Sequence, residues 1–136
     1  MSNKRIVRVR DVMKTGFDIV DDMDTVATAL ANMRYEENKC MLVKKRHDDD
    51  EYGIVMISDI ARKVLAEDRA PARVNIYEIM SKPIIAVDAD MDIRYCARLF
   101  DRFGLARAPV REGTDIVGVV GYTDMVLRGL MEEPPE

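Results

Sequence analysis

The sequence predicts a mixed α/β fold of the α+β type, built from two tandem β-α-β-β-α repeats. Residues 53–60 (GIVMISDI) and 118–125 (GVVGYTDM) both begin with glycine, continue through an apolar run and end near an aspartate preceded by a hydroxyl residue. Residues 11–43 also align without a gap to residues 78–110. An internal repeat of this kind determines the whole architecture.

The first helix of each repeat is predicted from apolar spacing. Both segments carry apolar side chains at positions i, i+3, i+4 and i+7, which form one face of a helix. The aligned positions are Val26, Ala29, Leu30 and Met33 against Ile93, Cys96, Ala97 and Phe100. The pattern predicts helices over 25–36 and 92–103.

The remaining elements occur in the same order in both repeats. Apolar runs predict strands near 17–20, 40–44 and 53–57, and near 84–87, 107–111 and 116–121. The segments after the aspartates predict helices near 59–67 and 124–132, and short helical turns near 11–13 and 78–80 lead into the repeats. We therefore expect repeats at 7–66 and 76–131, a polar linker at 67–75 and a disordered acidic tail at 132–136.

Composition restricts the class of protein. The chain has 136 residues, and one repeat of about 60 residues would be marginal alone, so we expect the two repeats to pack together. The net charge of −4 does not favour nucleic acid as a main partner, and no apolar run approaches the ~20 residues that a membrane span needs. Cys40 and Cys96 fall in predicted core elements, which favours buried thiols in a reducing cytoplasm.

The two strand-to-helix junctions are the candidate ligand sites. A carboxylate at the end of a strand can accept two hydrogen bonds from a ribose diol, and the first turn of a helix suits phosphate. Ser58-Asp59 and Thr123-Asp124 supply both features. Nearby cations would neutralise a phosphate: Arg107 and Lys82 in the second repeat, and more weakly Lys39 and Lys14 in the first.

A structural interpretation competes with the binding one. Serine or threonine before aspartate at a helix start is also an ordinary N-cap, worth roughly 0.5–2 kcal/mol without any ligand. Tyr122 could stack on an aromatic ring of a ligand or pack half-buried against the protein.

Catalysis and metal binding find little support in the sequence. The one histidine, His47, lies in a charged stretch with Asp48, Asp49, Asp50 and Glu51, which is more typical of a solvated hairpin tip than of a metal site. Motifs for a phosphate loop, a nucleophile elbow or zinc are absent from the sequence. We therefore expect no enzyme activity, no metal and no required cofactor.

The tandem Gly-Ile-Val-x-x-x-Asp and Gly-Val-Val-x-x-x-Asp units resemble the cystathionine beta-synthase (CBS) domain family. Further motifs agree: Val12-Met13, the segment 79–83 (IMSKP) and the segment 106–110 (ARAPV). The resemblance covers residues 7–131 and implies a stand-alone pair, called a Bateman module, whose repeats pack sheet to sheet about a pseudo-twofold axis. It further implies a homodimer of such pairs, with adenine nucleotides or S-adenosylmethionine bound in the clefts between repeats.

One departure from the family pattern distinguishes the two junctions. Nucleotide-binding members usually carry a hydroxyl residue three positions before the aspartate, where this chain has Met56 and Gly121. Methionine adds bulk without a hydrogen bond, whereas glycine leaves room for phosphate. The resemblance therefore favours the second junction.

The predicted function is a regulatory module that binds AMP, ADP, ATP or S-adenosylmethionine between its repeats and modulates an effector protein whose identity is unknown. The predicted ligand-binding residues are Asp124, Thr123, Tyr122, Gly121, Arg107, Lys82, Ile84, Asp59 and Ser58. The alternative is a ligand-free dimerisation or docking module with degenerate nucleotide sites.

Overall fold

The computed structural model of the protein describes residues 6–130, so the predicted disordered tail at 132–136 lies outside the described residues. The chain divides into two compact units. One of them, called the discontinuous unit, contains residues 6–16 and 85–130. The other, called the continuous unit, contains residues 17–84.

The helices and strands occur in the predicted order. Along the chain they are α1 (Val9–Val12), β1 (Ile19–Val20), α2 (Val26–Ala31), β2 (Cys40–Val43), β3 (Gly53–Met56), α3 (Ile57–Ile60), β4 (Val87–Asp88), α4 (Ile93–Phe103), β5 (Arg107–Glu112), β6 (Asp115–Gly121) and α5 (Tyr122–Gly129). A π-helical turn, Ala61–Leu65, continues α3, and short 3-10 turns lie at Glu36–Asn38, Pro71–Arg73 and Ile76–Glu78.

Each unit contains one three-stranded sheet, and the two sheets share one topology. In the continuous unit β1 pairs parallel with β2, and β2 pairs antiparallel with β3. In the discontinuous unit β4 pairs parallel with β5, and β5 pairs antiparallel with β6. The predicted mixed α+β class with two β-α-β-β-α repeats is confirmed.

Helix α2 is shorter than the predicted helix over 25–36. Its first turn is capped by Thr25, whose hydroxyl accepts from the backbone N–H of Thr28. The helix ends at Ala31, and the buried carboxylate of Asp18 accepts hydrogen bonds from the backbone N–H groups of Arg34 and Tyr35, at 3.0 and 2.9 Å. These amides are thereby satisfied outside a helix, so the chain turns back toward β1 instead of continuing α2.

Each unit has its own apolar core. In the continuous unit the core consists of Val20, Val26, Ala29, Met41, Val43, Val55, Val64, Val74, Ile76 and Ile79. In the discontinuous unit it consists of Val9, Val12, Val87, Ala89, Ile93, Cys96, Phe100, Ala108, Val110, Val120 and Met125. The helical face predicted over 92–103 is confirmed by the burial of Ile93, Cys96 and Phe100. Within residues 6–130, no helix combines the length and apolar character that a membrane crossing requires.

The compact units differ in membership from the predicted repeats 7–66 and 76–131. Helix α1, which opens the first repeat, belongs to the unit that holds the sheet of the second repeat. The turn Ile76–Glu78, which opens the second repeat, belongs to the unit that holds the first sheet. The repeat boundaries stay a prediction about sequence duplication. In the folded chain the opening segments are exchanged, because the segment that opens each repeat packs in the unit that holds the other repeat's sheet.

The exchanged segments reach the sheets through a close backbone approach at a glycine. Lys14 and Val119 exchange two backbone hydrogen bonds of 2.9 Å, and Ser81 and Ile54 exchange the equivalent pair at 2.9 and 3.0 Å. A Cβ atom at Gly118, the residue before Val119, would lie 2.5 Å from the Lys14 carbonyl oxygen. Gly118, the fourth residue of β6, therefore makes this pairing possible.

Candidate functional site

The second junction lies where β6 passes into α5. The backbone of Gly121 is extended and α5 starts at Tyr122, so Asp124 is the third residue of the helix. Its Oδ2 atom accepts a hydrogen bond of 2.9 Å from the Gly121 backbone N–H. This arrangement satisfies one of the amides near the helix start and places the negative charge at the positive end of the helix dipole.

The first junction has the same local arrangement. Helix α3 starts at Ile57, and Asp59 Oδ2 accepts a hydrogen bond of 2.9 Å from the Met56 backbone N–H. Ser58 and Thr123 are therefore second residues of their helices, and the interpretation of these hydroxyl residues as N-caps is wrong. The aspartates take over the capping because their side chains reach back three residues.

Lys14 is the cation at the second junction. Its Nζ atom lies 2.8 Å from Asp124 Oδ1 and 2.9 Å from Oδ2, so the ammonium group spans the carboxylate. The Asp124 side chain is only 5% exposed, and that of Lys14 is 30% exposed. The pair is thus shielded from water on the aspartate side, where a charge requires compensation.

Asp59 has a different partner at the first junction. Its Oδ1 atom accepts from an Arg62 guanidinium nitrogen at 2.9 Å, within one turn of the same helix. Spacing i, i+3 on a helix favours this ion pair, and the sequence alone could have predicted it. The regular part of α3 spans only Ile57–Ile60, so this junction offers a short anchor for an anion.

Arg107 lies beside the second junction, as the sequence predicts. It stands opposite Gly121 in the register of β5 and β6, so both residues face the same side of the sheet. A Cβ atom at Gly121 would lie 3.8 Å from both Arg107 Cβ and Asp124 Oδ2, and 3.3 Å from the Ala106 carbonyl oxygen. Glycine therefore preserves space between the Cβ atom of Arg107 and the carboxylate of Asp124.

Tyr122 and Thr123 form the exposed edge of the same helix start. The Tyr122 ring packs edge to face against Phe100, with ring centroids 5.4 Å apart, and the residue remains 39% exposed. The contact with Phe100 thus shows a packing role for Tyr122, and the residue as a whole remains partly exposed. Thr123 is exposed and presents its hydroxyl group at the second helical position.

Lys82 and Ile84 lie in the continuous unit, whereas the sequence pattern groups Lys82 with the second junction. The Lys82 ammonium pairs with Asp50 at 2.7 Å, and this pairing lowers the pKa of the Asp50 carboxyl below its usual range. Lys82 thereby ties the predicted hairpin loop to the opening segment of the second repeat. Both residues of this ion pair belong to the continuous unit.

Lys14 is the residue whose role the repeat pattern does not reveal. In the repeat alignment it stands over Ser81, and its place in the first repeat groups it with the first junction. The structure brings it to Asp124 because its segment pairs with β6, a contact that joins residues far apart in sequence. Ser81 holds the equivalent place in the continuous unit and has no ammonium group.

Among residues 6–130, no group of three or more histidine, cysteine, aspartate or glutamate side chains is arranged to hold a metal ion. Both cysteines are buried, and burial raises the pKa of the Cys96 thiol to about 11. A thiol in that state is a poor nucleophile at neutral pH.

Known proteins share both the sequence pattern and the fold. The family model for the CBS domain matches residues 76–129. A hexameric CBS-CP12 protein from bloom-forming cyanobacteria is 31% identical, with a TM-score of 0.86, over 96% of this chain and 76% of that chain. The chain belongs to the CBS domain family.

Two further relatives extend the comparison. An uncharacterized protein of Methanopyrus kandleri is 27% identical over 90% of this chain, and this chain spans 62% of that relative's length. The CBS domain pair of protein MJ0100, solved in complex with 5′-methylthioadenosine and S-adenosyl-L-methionine, has a TM-score of 0.78 at 20% identity. The alignment covers 95% of this chain and all of that one, and at this identity it shows a shared fold.

Proposed function

We propose that this CBS domain protein binds an adenine nucleotide at the second junction and thereby regulates a partner protein. The observation that carries the proposal is the pairing of Lys14 with Asp124 at the start of α5, with Arg107 opposite Gly121 on the neighbouring strand. The carboxylate is suited to a ribose diol, and the two cations and the helix start are suited to phosphate. Tyr122 supplies an accessible aromatic surface for the base.

The comparisons support the class of ligand. Protein MJ0100 shares the fold and was solved with two adenosine-containing molecules. AMP, ADP, ATP and S-adenosylmethionine are therefore the ligands to test. The role that we assign is regulatory and not catalytic, because the groups at the junction are suited to holding charge and hydroxyl groups rather than to activating a nucleophile.

A second candidate function is a ligand-free docking or dimerisation module. It is favoured by the same carboxylate, since Asp124 already has partners in the Gly121 N–H group and in Lys14. At the first junction Met56 and the Asp59–Arg62 pair favour the same interpretation. The hexameric CBS-CP12 relatives support association of copies, and we propose that this protein forms a homodimer. We also propose that it resides in a reducing cytoplasm, where the buried thiols Cys40 and Cys96 stay reduced.

A thermal-shift screen with the four adenosine ligands, with and without magnesium, separates the two functions. A ligand at 100 times its dissociation constant adds about 2.7 kcal/mol to the free energy of unfolding, which raises Tm by several degrees. We expect such a shift for at least one ligand. Unchanged Tm with all of them, in a protein that remains oligomeric, would favour the docking module.

A variant then locates the site. Replacing Asp124→Ala would remove the capping hydrogen bond as well as the charge, so Asp124→Asn is the better choice because its amide oxygen still accepts from Gly121. Loss of the charged hydrogen bonds to ribose should weaken binding by about 10- to 100-fold. Asp59→Asn is the matched control at the first junction and should leave the affinity unchanged.

A further inference from the structure

Lys14 occupies the carboxylate that the proposed ligand needs. Both oxygens of Asp124 contact the Lys14 ammonium, and Oδ2 also accepts from Gly121. With the Asp124 side chain only 5% exposed, a ribose diol can reach the carboxylate only if the ammonium moves or shares it. The protein without ligand therefore holds its own cation in the place where the ligand binds.

The backbone of Lys14 is fixed, so only its side chain can move. The residue donates to the Val119 carbonyl and accepts from the Val119 N–H, both at 2.9 Å, and Gly118 permits this approach. A lysine side chain is a flexible four-carbon stem that carries a strongly hydrated charge. An ammonium that leaves Asp124 loses the energy of this ion pair unless it finds another anionic partner.

We propose that Lys14 makes the second junction selective for phosphorylated nucleotides over nucleosides, an inference that rests on the proposed function. A nucleotide phosphate at the start of α5 offers the displaced ammonium a new anionic partner. A nucleoside displaces the ammonium from Asp124 but offers it no anion in return. Discrimination thus arises from a penalty against the wrong ligand as well as from attraction to the right one.

The continuous unit provides an internal contrast. There the position equivalent to Lys14 is Ser81, and Asp59 pairs instead with Arg62 from its own helix. An ion pair one turn apart on one helix is a local contact, whereas the Lys14–Asp124 pair joins an exchanged segment to the junction. Selectivity of this kind is therefore assigned to the second junction alone.

Calorimetric titration of the full chain with AMP and with adenosine tests the proposal. The measured quantity is the ratio of the two dissociation constants in wild type, Lys14→Met, Lys14→Arg and the matched control Arg62→Met. We expect wild type to prefer AMP, Lys14→Met to reduce this preference by about tenfold or more, and Lys14→Arg and Arg62→Met to retain it. Lys14→Gln is a second neutral variant in case Lys14→Met does not fold.

The outcomes separate this inference from the proposed function. If wild type binds neither AMP nor any other adenosine ligand of the screen, the proposed function fails and the inference falls with it. If wild type binds them but a folded neutral variant keeps the AMP preference, the inference alone is overturned. A variant that weakens the binding of AMP and of adenosine equally is one such case, because the ratio of the two dissociation constants is unchanged. 5′-Methylthioadenosine, which has neither a phosphate nor a carboxylate, would also overturn the inference by binding as tightly as AMP, while supporting the proposed function.

Discussion

Replacing Gly118→Ala tests whether the exchanged N-terminal segment depends on close backbone contact. The added Cβ would lie 2.5 Å from the Lys14 carbonyl oxygen and 2.8 Å from the Met13 sulfur. The sulfur is on a flexible side chain, but the carbonyl is backbone, so the segment carrying Lys14 must move away from β6.

The expected loss of stability comes from the contacts that this movement breaks. Overpacking costs about 1–3 kcal/mol, and losing the two backbone hydrogen bonds between Lys14 and Val119 costs about 0.5–1.5 kcal/mol each. Alanine restricts the unfolded chain more than glycine does, which offsets about 0.4–1 kcal/mol. The free energy of unfolding should therefore fall by about 1–5.6 kcal/mol.

Urea unfolding at pH 7 measures this change, and two alanine variants serve as controls. At Gly53 a Cβ would lie 3.1 Å from the Met80 sulfur and 3.3 Å from the Ser81 carbonyl oxygen, so Gly53→Ala should be milder than Gly118→Ala. At Gly129 the close atom is the end of the Ile93 side chain, which can rotate aside, so Gly129→Ala should also be milder than Gly118→Ala. A Gly118→Ala variant within about 0.5 kcal/mol of wild type, an ordinary surface effect, would refute the reasoning.

Three further predictions concern stability and reactivity. Asp18→Ala should lower the free energy of unfolding by about 1–3 kcal/mol, because the amides of Arg34 and Tyr35 lose their acceptor; an unchanged urea midpoint would contradict this. The guanidinium and backbone N–H of Arg94 lower the pKa of Asp92. At pH values above the usual aspartate pKa, the ionised Asp92 therefore stabilises α4 as its N-cap. This stabilisation disappears as the pH falls through the lower pKa of the folded state. Asp92→Ala should therefore cost about 0.5–2 kcal/mol at pH 7 and progressively less below about pH 4, and a deficit that grew on acidification would have the wrong sign. Finally, Cys40 and Cys96, 1% and 0% exposed, should resist a thiol reagent at pH 8 until the protein is unfolded in guanidinium; rapid labelling of the native protein would contradict their burial.

The repeated elements were predictable because their signals are local. Glycine-led apolar runs marked β3 and β6, and the spacing of Ile93, Cys96 and Phe100 marked α4. Helix α2 was predicted too long because its end depends on Asp18, a residue outside the helix whose carboxylate captures two amides. Apolar periodicity carries no information about such a contact.

The site was predictable only in part, for the same reason. Asp124, Gly121 and Arg107 are neighbours along adjoining elements, so the repeat alignment could group them. The places of Lys14 and Lys82 depend on pairing between distant segments, with Asp124 in one unit and Asp50 in the other. An alignment of the repeats assigns each residue to its own copy and hides this exchange.

Amide chemical-shift mapping shows directly whether an adenine nucleotide binds at the second junction. The protein would be titrated with the ligand that stabilises it most among AMP, ADP, ATP and S-adenosylmethionine. We expect the largest shifts at Lys14, Arg107 and the amides from Gly121 to Asp124, with little change from Met56 to Asp59. Shifts confined to the first junction, or no shifts at saturating ligand, would contradict it.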